Sequence, residues 1–436
     1  MGGTNIIYPT ETNNYIALSD SIGRHFDDGH IVIGNDLDVK VTLSNKGVSY
    51  SGSISASLSP SVNSKPSSKS VRVDAGKSVT ADFSFSGLSY DRQYTLTISA
   101  GNMRRDTTFT PRRGIVVGYG DGSRRYILDG FAMNIPGDAV WVDARYSEDV
   151  AFIVPSANAN CLYVLARDAS VPDNLGNCNV VVGTKAESIS LTDNACGFDT
   201  PVAFTADNIS YSRTFTEGND GNSPHWSTIV LPFTVSGIVG ENCRGWFKGS
   251  ADKGKNMWVM DFSREENGTV FFRYANQIEA NKPYIITVAA DAWGDSWNLV
   301  GKTLTFTGGN ATIEPRASSI TTHGTHDFIG RTYGLPRHYI YDMNAEGNNF
   351  VYKQHEPSFC AFRACFLQFP SSAYQAKTMS IAIDNGTATG VGVLQTPLSS
   401  NAKADWLYDL QGRKYGMEPA QQGIYIKGNK KITIGR

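Results

Sequence analysis

The densest group of reactive side chains lies near the start of the chain, where His25, Asp27, Asp28 and His30 fall within six residues. Imidazole nitrogens and carboxylate oxygens bind zinc and other divalent metals when a fold fixes their geometry. The surrounding residues predict an irregular loop, which leaves that geometry unconstrained. We therefore interpret the segment as a solvated loop, keep a metal site as the alternative, and predict no bound metal.

The other candidates for catalysis lack the sequence context that their chemistry needs. His323 and His326 have neither the glutamate nor the helix of an HExxH zinc site. A Cys–His peptidase needs a reactive thiolate close to an imidazole, and nothing local marks such a pair. The residues that could form one are Cys360 or Cys365 with His338 or His355.

Serine, glycine-rich and carboxylate motifs also fail to predict an enzyme. Ser227 is not part of a GxSxG elbow, and the glycines of 118–122 do not open a helix onto a phosphate. Glu265 and Glu266 are adjacent, so on a strand their carboxylates point to opposite faces, unlike the facing pair of a glycosidase. We predict that the chain is not an enzyme and has no catalytic residues and no cofactor.

Two tryptophans are the candidate ligand-binding residues. Trp293 and Trp297 lie in the polar, glycine-containing segment DAWGDSWN. Indole faces beside Asp and Asn can stack on sugar rings. The alternative is that both rings plug the end of a β-sandwich. The predicted partners are therefore a glycan or a host or bacterial surface protein.

Composition excludes several other classes of partner. The chain has 436 residues, room for two to four domains, and its 39 Lys and Arg against 41 Asp and Glu give a net charge of −2. No run of like charges predicts binding to nucleic acid, and no apolar stretch approaches the roughly 18 residues of a membrane helix. We predict a monomer without membrane insertion. The six cysteines permit disulfides without requiring them.

The element pattern is that of short strands. Between residues 31 and 100, apolar and polar side chains alternate, with Leu37, Val39, Val41 and Leu43 on one face of one strand. Several such strands within about 100 residues predict a β-sandwich. The segment 87–98 resembles the corner of fibronectin type III and related Ig-like domains, which implies that Tyr94 bonds back across the corner.

These patterns predict an all-β, multidomain chain: an Ig-like or fibronectin-III-like sandwich followed by β-sandwich or jelly-roll modules. The predicted divisions are an Ig-like domain over 1–112, a small β-rich module over 113–204, a β-sandwich or jelly roll over 205–390, and a linker with a short β tail over 391–436. The opening MGGTN lacks the features of a signal peptide, so we expect any export signal to lie upstream.

The closing stretch resembles the C-terminal tail of exported and surface proteins of the Bacteroides and Prevotella type. The matching segments are YDLQGR at 408–413, GIYI at 423–426 and KKI at 430–432. Further upstream, the chain resembles the accessory region that follows leucine-rich repeats or peptidase domains in such proteins. Those segments are AFIVP at 151–155, NCLY at 160–163, VP at 171–172, NVV at 179–181 and WSTIVLPF at 226–233.

This resemblance implies a location outside the cell and a tail similar to the sorting domains read by the type IX secretion apparatus. The leading hypothesis is a non-catalytic accessory or adhesin-like region of a secreted or outer-surface protein, structural or partner-binding. The alternatives are a carbohydrate-binding module and the non-catalytic C-terminal part of a secreted peptidase.

Overall fold

The computed structural model describes residues 6–10, 14–65, 67–194, 196–316, 320–324, 326–334, 337–356, 360–368 and 378–384, with four short strands beyond residue 406. In these residues the regular structure is β-strand apart from three 3-10 turns. The predicted all-β, multidomain sandwich fold is confirmed. None of the helical turns in the described ranges has the length and apolar character that crossing a membrane requires.

The N-terminal sandwich contains two antiparallel sheets with one core between them. One sheet has the order β1-β2-β5-β9-β7 and the other β3-β4-β11-β10-β6-β8, in which β4 and β11 form the one parallel pair described. The strands are β1 (Ile6–Thr10), β2 (Asn14–Ile22), β3 (His25–Phe26), β4 (Ile31–Ile33), β5 (Asp36–Asn45), β6 (Tyr50–Ser59), β7 (Asn63–Lys65), β8 (Ser68–Val73), β9 (Ser78–Ser86), β10 (Tyr94–Ala100) and β11 (Met103–Arg112).

Alternation in the sequence accounts for this core. Leu37, Val39, Val41 and Leu43 of β5 are all buried in it, because every second side chain of a strand points to the same face. The predicted corner also forms: the Tyr94 hydroxyl accepts a hydrogen bond of 3.0 Å from the backbone N–H five residues upstream, and the ring is buried.

The middle of the chain forms a stack that includes parallel strands. β15, β17 and β18 pair in parallel, and so do β19 and β20. The elements are β12 (Gly114–Tyr119), β13 (Arg124–Leu128), β14 (Met133–Asn134), β15 (Ala139–Asp143), η1 (Val150–Phe152), β16 (Ile153–Val154), β17 (Leu162–Leu165), η2 (Asp173–Leu175), β18 (Asn179–Val182), β19 (Lys185–Thr192) and β20 (Phe204–Thr214).

Buried asparagines satisfy the backbone where this stack turns. The Asn160 side chain donates to the carbonyl of Thr192 at 2.8 Å and accepts the Thr192 N–H at 2.8 Å. The Asn179 side chain bonds Ser190 in the same two-way manner. Each of these two amides therefore satisfies one N–H and one carbonyl of β19.

The remaining strands build a second large sheet and complete the first. They are β21 (Ser227–Ile229), β22 (Gly237–Val239), β23 (Trp246–Phe247), β24 (Met257–Glu266), β25 (Thr269–Tyr274), β26 (Tyr284–Val288), η3 (Asp291–Trp293), β27 (Thr303–Ile313), β28 (Ile320–Thr322), β29 (His326–Arg331), β30 (Arg337–Met343), β31 (Asn349–Glu356), β32 (Arg363–Gln368) and β33 (Thr378–Ile383). The last four are β34 (Leu407–Asp409), β35 (Lys414–Tyr415), β36 (Gly423–Lys427) and β37 (Lys430–Ile434), in the order β35-β34-β36-β37.

The two large sheets share a core. The nine-stranded sheet has the order β13-β12-β15-β17-β18-β19-β20-β27-β22, and the eleven-stranded sheet has the order β21-β26-β24-β25-β33-β31-β30-β32-β29-β28, with β23 beside β24. Met257 and Val259 of β24 face the shared core, whereas Trp258 and Met260 face a separate aromatic core. Burial on both faces explains the apolar run of its first four residues, 257–260.

The sheet topology bears on where the predicted domains could be divided. The predicted division after residue 204 falls inside the nine-stranded sheet, because β20 begins at Phe204 and pairs with β19. The divisions at 112 and 204 stay predictions, and the division at 390 lies outside the described residues.

Candidate functional site

The N-terminal sandwich joins the next module without a linker. β11 ends at Arg112 and β12 begins at Gly114, so a single residue separates them. The Gly34 N–H donates to the Arg112 carbonyl at 3.0 Å, and the Gly114 N–H donates to the Tyr146 carbonyl at 3.3 Å. Both sides of the crossing are therefore held by backbone hydrogen bonds.

Arg24 and Tyr146 form the centre of this junction. The Arg24 guanidinium lies 4.1 Å from the centre of the Tyr146 ring and also hydrogen-bonds the Tyr146 hydroxyl. Its Nη2 donates to the Asp36 carboxylate at 2.6 Å and to the Asp36 carbonyl at 2.8 Å. Burial, opposed by the charges of Arg24 and Arg145, raises the pKa of Tyr146 to about 12. The phenol therefore stays neutral at physiological pH and continues to donate or accept at the junction.

Apolar contacts cross the same boundary. Ile33 of β4 is fully buried within the core that the two large sheets share, and Phe26 and Ile31 pack against that core. At Gly34 the backbone has a positive φ of 110°, and a Cβ there would lie 2.8 Å from the Tyr146 ring. Glycine is therefore required both by the backbone conformation and by the close approach of the ring.

A cleft of about 920 Å³ opens beside this junction. We call it the junction cleft; its charged lining residues are Asp20, Asp27, Asp28, Arg105, Arg124 and Arg125 together with His25. Asp20 and Arg105 form an ion pair of 2.5 Å. Arg124 is exposed and has no ion-pair partner among the described residues.

Residues 25–28 of the segment in which the sequence left a metal site open line this cleft. The His25 Nδ1 lies 3.4 Å from the Asp27 carboxylate, and the His25 and His30 rings are 6.3 Å apart. Burial lowers the pKa of His25 and outweighs the opposite influence of Asp27. In the ranges that the structure covers, no three His, Cys, Asp or Glu side chains come together to hold a metal ion.

The other histidine pair does not meet at one point. His326 is buried, and its Nδ1 lies 2.9 Å from the Glu265 carboxylate, whereas the His323 ring packs at 5.6 Å from the Phe262 ring. The Glu265 side chain is 9% exposed and that of Glu266 is 61% exposed, so the adjacent carboxylates point apart as predicted.

The two tryptophans are held in different surroundings. The Trp293 indole N–H donates to the Asn219 carbonyl at 2.6 Å, and the ring packs beside Gly221 and against the aromatic core. The Arg244 guanidinium lies 3.9 Å from the centre of the Trp297 ring. Both rings are partly buried. Sugar binding by this pair stays a prediction.

None of the six cysteines forms a disulfide in the structure. Cys161 and Cys365 are buried, and burial raises the pKa of the Cys161 thiol to about 12. Cys360 is exposed, and His338 lies outside the residues whose side chains the structure describes. Cys365, the other thiol considered for a pair with an imidazole, packs in an apolar cluster with Ile329 and Ile340.

Comparison with known proteins identifies no family. No family model matches the chain, and no curated protein matches it. One similar solved structure is a family 123 glycoside hydrolase from Clostridium perfringens, described for the hydrolysis of glycolipid glycans. The identity is 12%, the match covers 34% of this chain and 38% of that one, and the TM-score is 0.15. A similarity at this level supports no conclusion about activity.

Proposed function

We propose that the chain is a non-catalytic accessory region of a secreted or cell-surface protein, with a structural and partner-binding role. The observation that carries this proposal is the junction. The N-terminal sandwich is fixed to the next module by one connecting residue, by Arg24 on Tyr146 and by the burial of Ile33. Such a junction suits a part that displays a surface at a set orientation, because a flexible linker would let the two modules move independently.

The junction cleft is the surface that we assign to the partner. Ligand sites occur preferentially between domains, and this cleft carries both signs of charge. Asp20 and Arg105 neutralise each other, whereas Arg124 is exposed at the cleft and has no carboxylate partner in the described part of the chain. A polar partner, either a glycan or a surface protein, matches this lining, in which Arg124 and Arg125 stand beside Asp27 and Asp28, through hydrogen bonds and charge pairs.

The test measures binding and turnover with the full chain. The chain is applied to a glycan array and to surfaces coated with mucin, and the amount retained is measured. The Arg124→Glu variant is compared with Arg72→Glu, which alters an exposed arginine of β8. We expect Arg124→Glu to reduce retention at least fivefold and Arg72→Glu to leave it unchanged. Equal retention by both variants would remove the cleft from the proposal.

Catalysis is tested separately, with generic peptide and aryl-glycoside substrates. We expect no turnover above the buffer blank. Reproducible turnover that persists after repeated purification would overturn the non-catalytic proposal, whatever the binding result.

A carbohydrate-binding role for the 291–298 loop is the second candidate. The observation that favours it is that hydrogen bonding and stacking fix the two indoles before any ligand arrives: Trp293 on Asn219 and Trp297 under Arg244. Rigid aromatic platforms lose little conformational entropy on binding a sugar. Affinity electrophoresis of Trp293→Ala and Trp297→Ala tests it. If no glycan retards the parent chain, or if both variants migrate as the parent does, this candidate is excluded.

A further inference from the structure

Three of the six cysteines lie near one another in the stack that contains the parallel strands. Cys161 comes directly before β17, Cys178 comes directly before β18, and Cys196 lies between β19 and β20. Burial is the main cause that raises the pKa of the Cys161 thiol to about 12, and the neighbouring Cys178 and Cys196 add to it. Cys161 therefore has two other thiols within electrostatic range.

The strand register places Cys161 beside Cys178. β17 and β18 pair in parallel, and the first matched residues are Leu162 and Asn179. Cys161 and Cys178 each stand one residue earlier, so they occupy the next position of the same register. Neighbouring strands lie about 4.8 Å apart. Disulfides join residues whose Cα atoms are roughly 4.4–6.8 Å apart, so this backbone spacing is compatible with a bridge.

The two side chains also lie on the same face of the sheet. Cys161 belongs to the apolar core that contains Tyr163 and Leu165, which are two and four positions further along β17. Cys178 packs against the same core, as do the residues two and four positions further along β18. Because every second side chain of a strand lies on one face, the two thiols are lateral neighbours on the core side.

Cys196 is the rival partner for Cys161, but it is not aligned with it. It belongs to none of the described strands, and its Sγ lies 3.9 Å from the carbonyl oxygen of Gly137, which precedes β15. The register argument therefore selects Cys178.

A bridge at this position would tie together the beginnings of two parallel strands. A parallel pair needs a crossover connection, which is usually a helix. Here the chain returns from β17 to β18 through residues 166–178, whose regular structure is the three-residue turn η2. A disulfide stabilises a fold mainly by restricting the unfolded chain, so a link from 161 to 178 would hold this crossover without a helix.

We propose that Cys161 and Cys178 form a disulfide that stabilises the β17–β18 pair, with glutathione disulfide or a protein disulfide as the oxidant. The Cys178 thiolate attacks one sulfur of the oxidant, whose S–S bond breaks and whose other half leaves as a thiolate. The Cys161 thiolate then attacks the Cys178 sulfur and releases the second half. The two cysteines lose two protons and two electrons, and the oxidant is reduced to two thiols.

Burial determines when this bridge can form. Cys161 is 2% exposed, and its raised pKa keeps the thiol protonated at neutral pH, so the folded chain should oxidise slowly. Both thiols are accessible while the chain folds, which is when we expect the link to form. The inference takes from the proposed function only a location outside the cell, where protein disulfides persist.

The test is cell-free synthesis of the full chain in a buffer of oxidised and reduced glutathione, beside a synthesis with reduced glutathione alone. Free thiols are blocked with N-ethylmaleimide in urea, and the chain is digested with trypsin without reduction and mapped by mass spectrometry. Cleavage after Arg145, Arg167, Lys185 and Arg213 puts Cys161, Cys178 and Cys196 in three different peptides, 146–167, 168–185 and 186–213.

We expect peptide 146–167 to be joined to peptide 168–185 in the oxidised product, and both to carry the maleimide label in the reduced product. The Cys196→Ser variant is the matched control and should give the same joined pair. Peptides 146–167 and 168–185 that stay labelled in the oxidised product, or a link from 146–167 to 186–213, would overturn the proposal.

Hydrogen exchange of the same two products measures the stabilisation. We expect peptides of β17 and β18 to exchange at least tenfold more slowly in the oxidised chain than in the reduced chain. In Cys178→Ser, which changes a partly exposed thiol, the two syntheses should give equal exchange. Equal exchange of the linked and the reduced parent would overturn the stabilising role.

The result is separable from the binding proposal. A chain that does not link, but loses retention in Arg124→Glu, would keep the junction cleft and overturn only the disulfide. A linked chain that is retained equally in Arg124→Glu and Arg72→Glu would support the disulfide and remove the cleft.

Discussion

Replacing Arg24 by methionine should loosen the junction while leaving both modules folded. The guanidinium is 14% exposed and lies 4.1 Å from the Tyr146 ring, a geometry worth about 1 kcal/mol for the cation–π contact. The hydrogen bond to the Tyr146 hydroxyl adds about 1 kcal/mol. Asp36 is 44% exposed, so solvent screening limits its ion pair to about 0.5 kcal/mol. The expected loss is about 2 to 3 kcal/mol.

Hydrogen exchange measures this loss where it occurs, whereas a global melting curve of several domains does not give one free energy. The amides of Gly34 and Gly114 bond across or beside the crossing, so peptides containing them should exchange about 30-fold faster or more in Arg24→Met. A double-mutant cycle with Tyr146→Leu should give a coupling free energy of about 2 kcal/mol.

The matched control is Arg72→Met on the exposed face of β8. Arg72 is 75% exposed, and its ion pair with the exposed Asp74 is long, at 3.5 Å. We expect no change at the junction peptides in this control. If Arg24→Met exchanges at the parent's rate, or if the coupling with Tyr146 is below about 0.5 kcal/mol, the contact does not hold the modules together.

Three further predictions concern individual positions. Gly34→Ala should destabilise the junction by about 2 to 3 kcal/mol in the same exchange assay. Gly76 also has a positive φ, but a Cβ there would have no atom within 4 Å, so Gly76→Ala should cost its own turn about 1 kcal/mol. Equal effects would contradict the argument from the close approach of Tyr146. Tyr94→Phe should lower the stability of the N-terminal sandwich by about 1 kcal/mol, because the Ser89 N–H loses its acceptor on the buried ring, and unchanged hydrogen exchange in the peptides of β10 and β11 would refute this. Burial lowers the folded-state pKa of His25, so its contribution to stability is present above about pH 6.5 and is lost as the pH falls through the folded-state pKa. A His25→Gln variant should therefore show a smaller drop in urea midpoint than the parent between pH 7.5 and 5.0. An identical drop would count against the shift.

Local patterns predicted much of the fold. Period-two alternation placed Leu37 and Val41 on the buried face of β5, since a strand with one buried face must alternate. The resemblance of 87–98 to an Ig-like corner predicted the role of Tyr94, because that hydrogen bond closes within five residues. In β24, the unbroken apolar run does not by itself tell which residue faces which core.

The candidate sites depend on contacts that no local pattern encodes. Arg24 and Tyr146 are 122 residues apart, and Asp193 and Arg363 are 170 residues apart. An isolated arginine between strands reads as a solvated surface residue, and only the packing of sheets decides which arginines become buried together. Reactive residue types at short spacing stand out in the sequence at 25–30 and at His323, whereas the burial of Arg24 against Tyr146 does not.

The one-residue crossing between β11 and β12 also determines how the protein can be divided for experiment. A fragment ending at Arg112 would contain every strand of the N-terminal sandwich, yet it would uncover Ile33, Phe26 and Ile31, whose apolar neighbours lie in the following module. Such a fragment would expose these apolar side chains to solvent, which promotes aggregation. Expression boundaries drawn to retain both modules keep those side chains covered and preserve the shape on which any partner would dock.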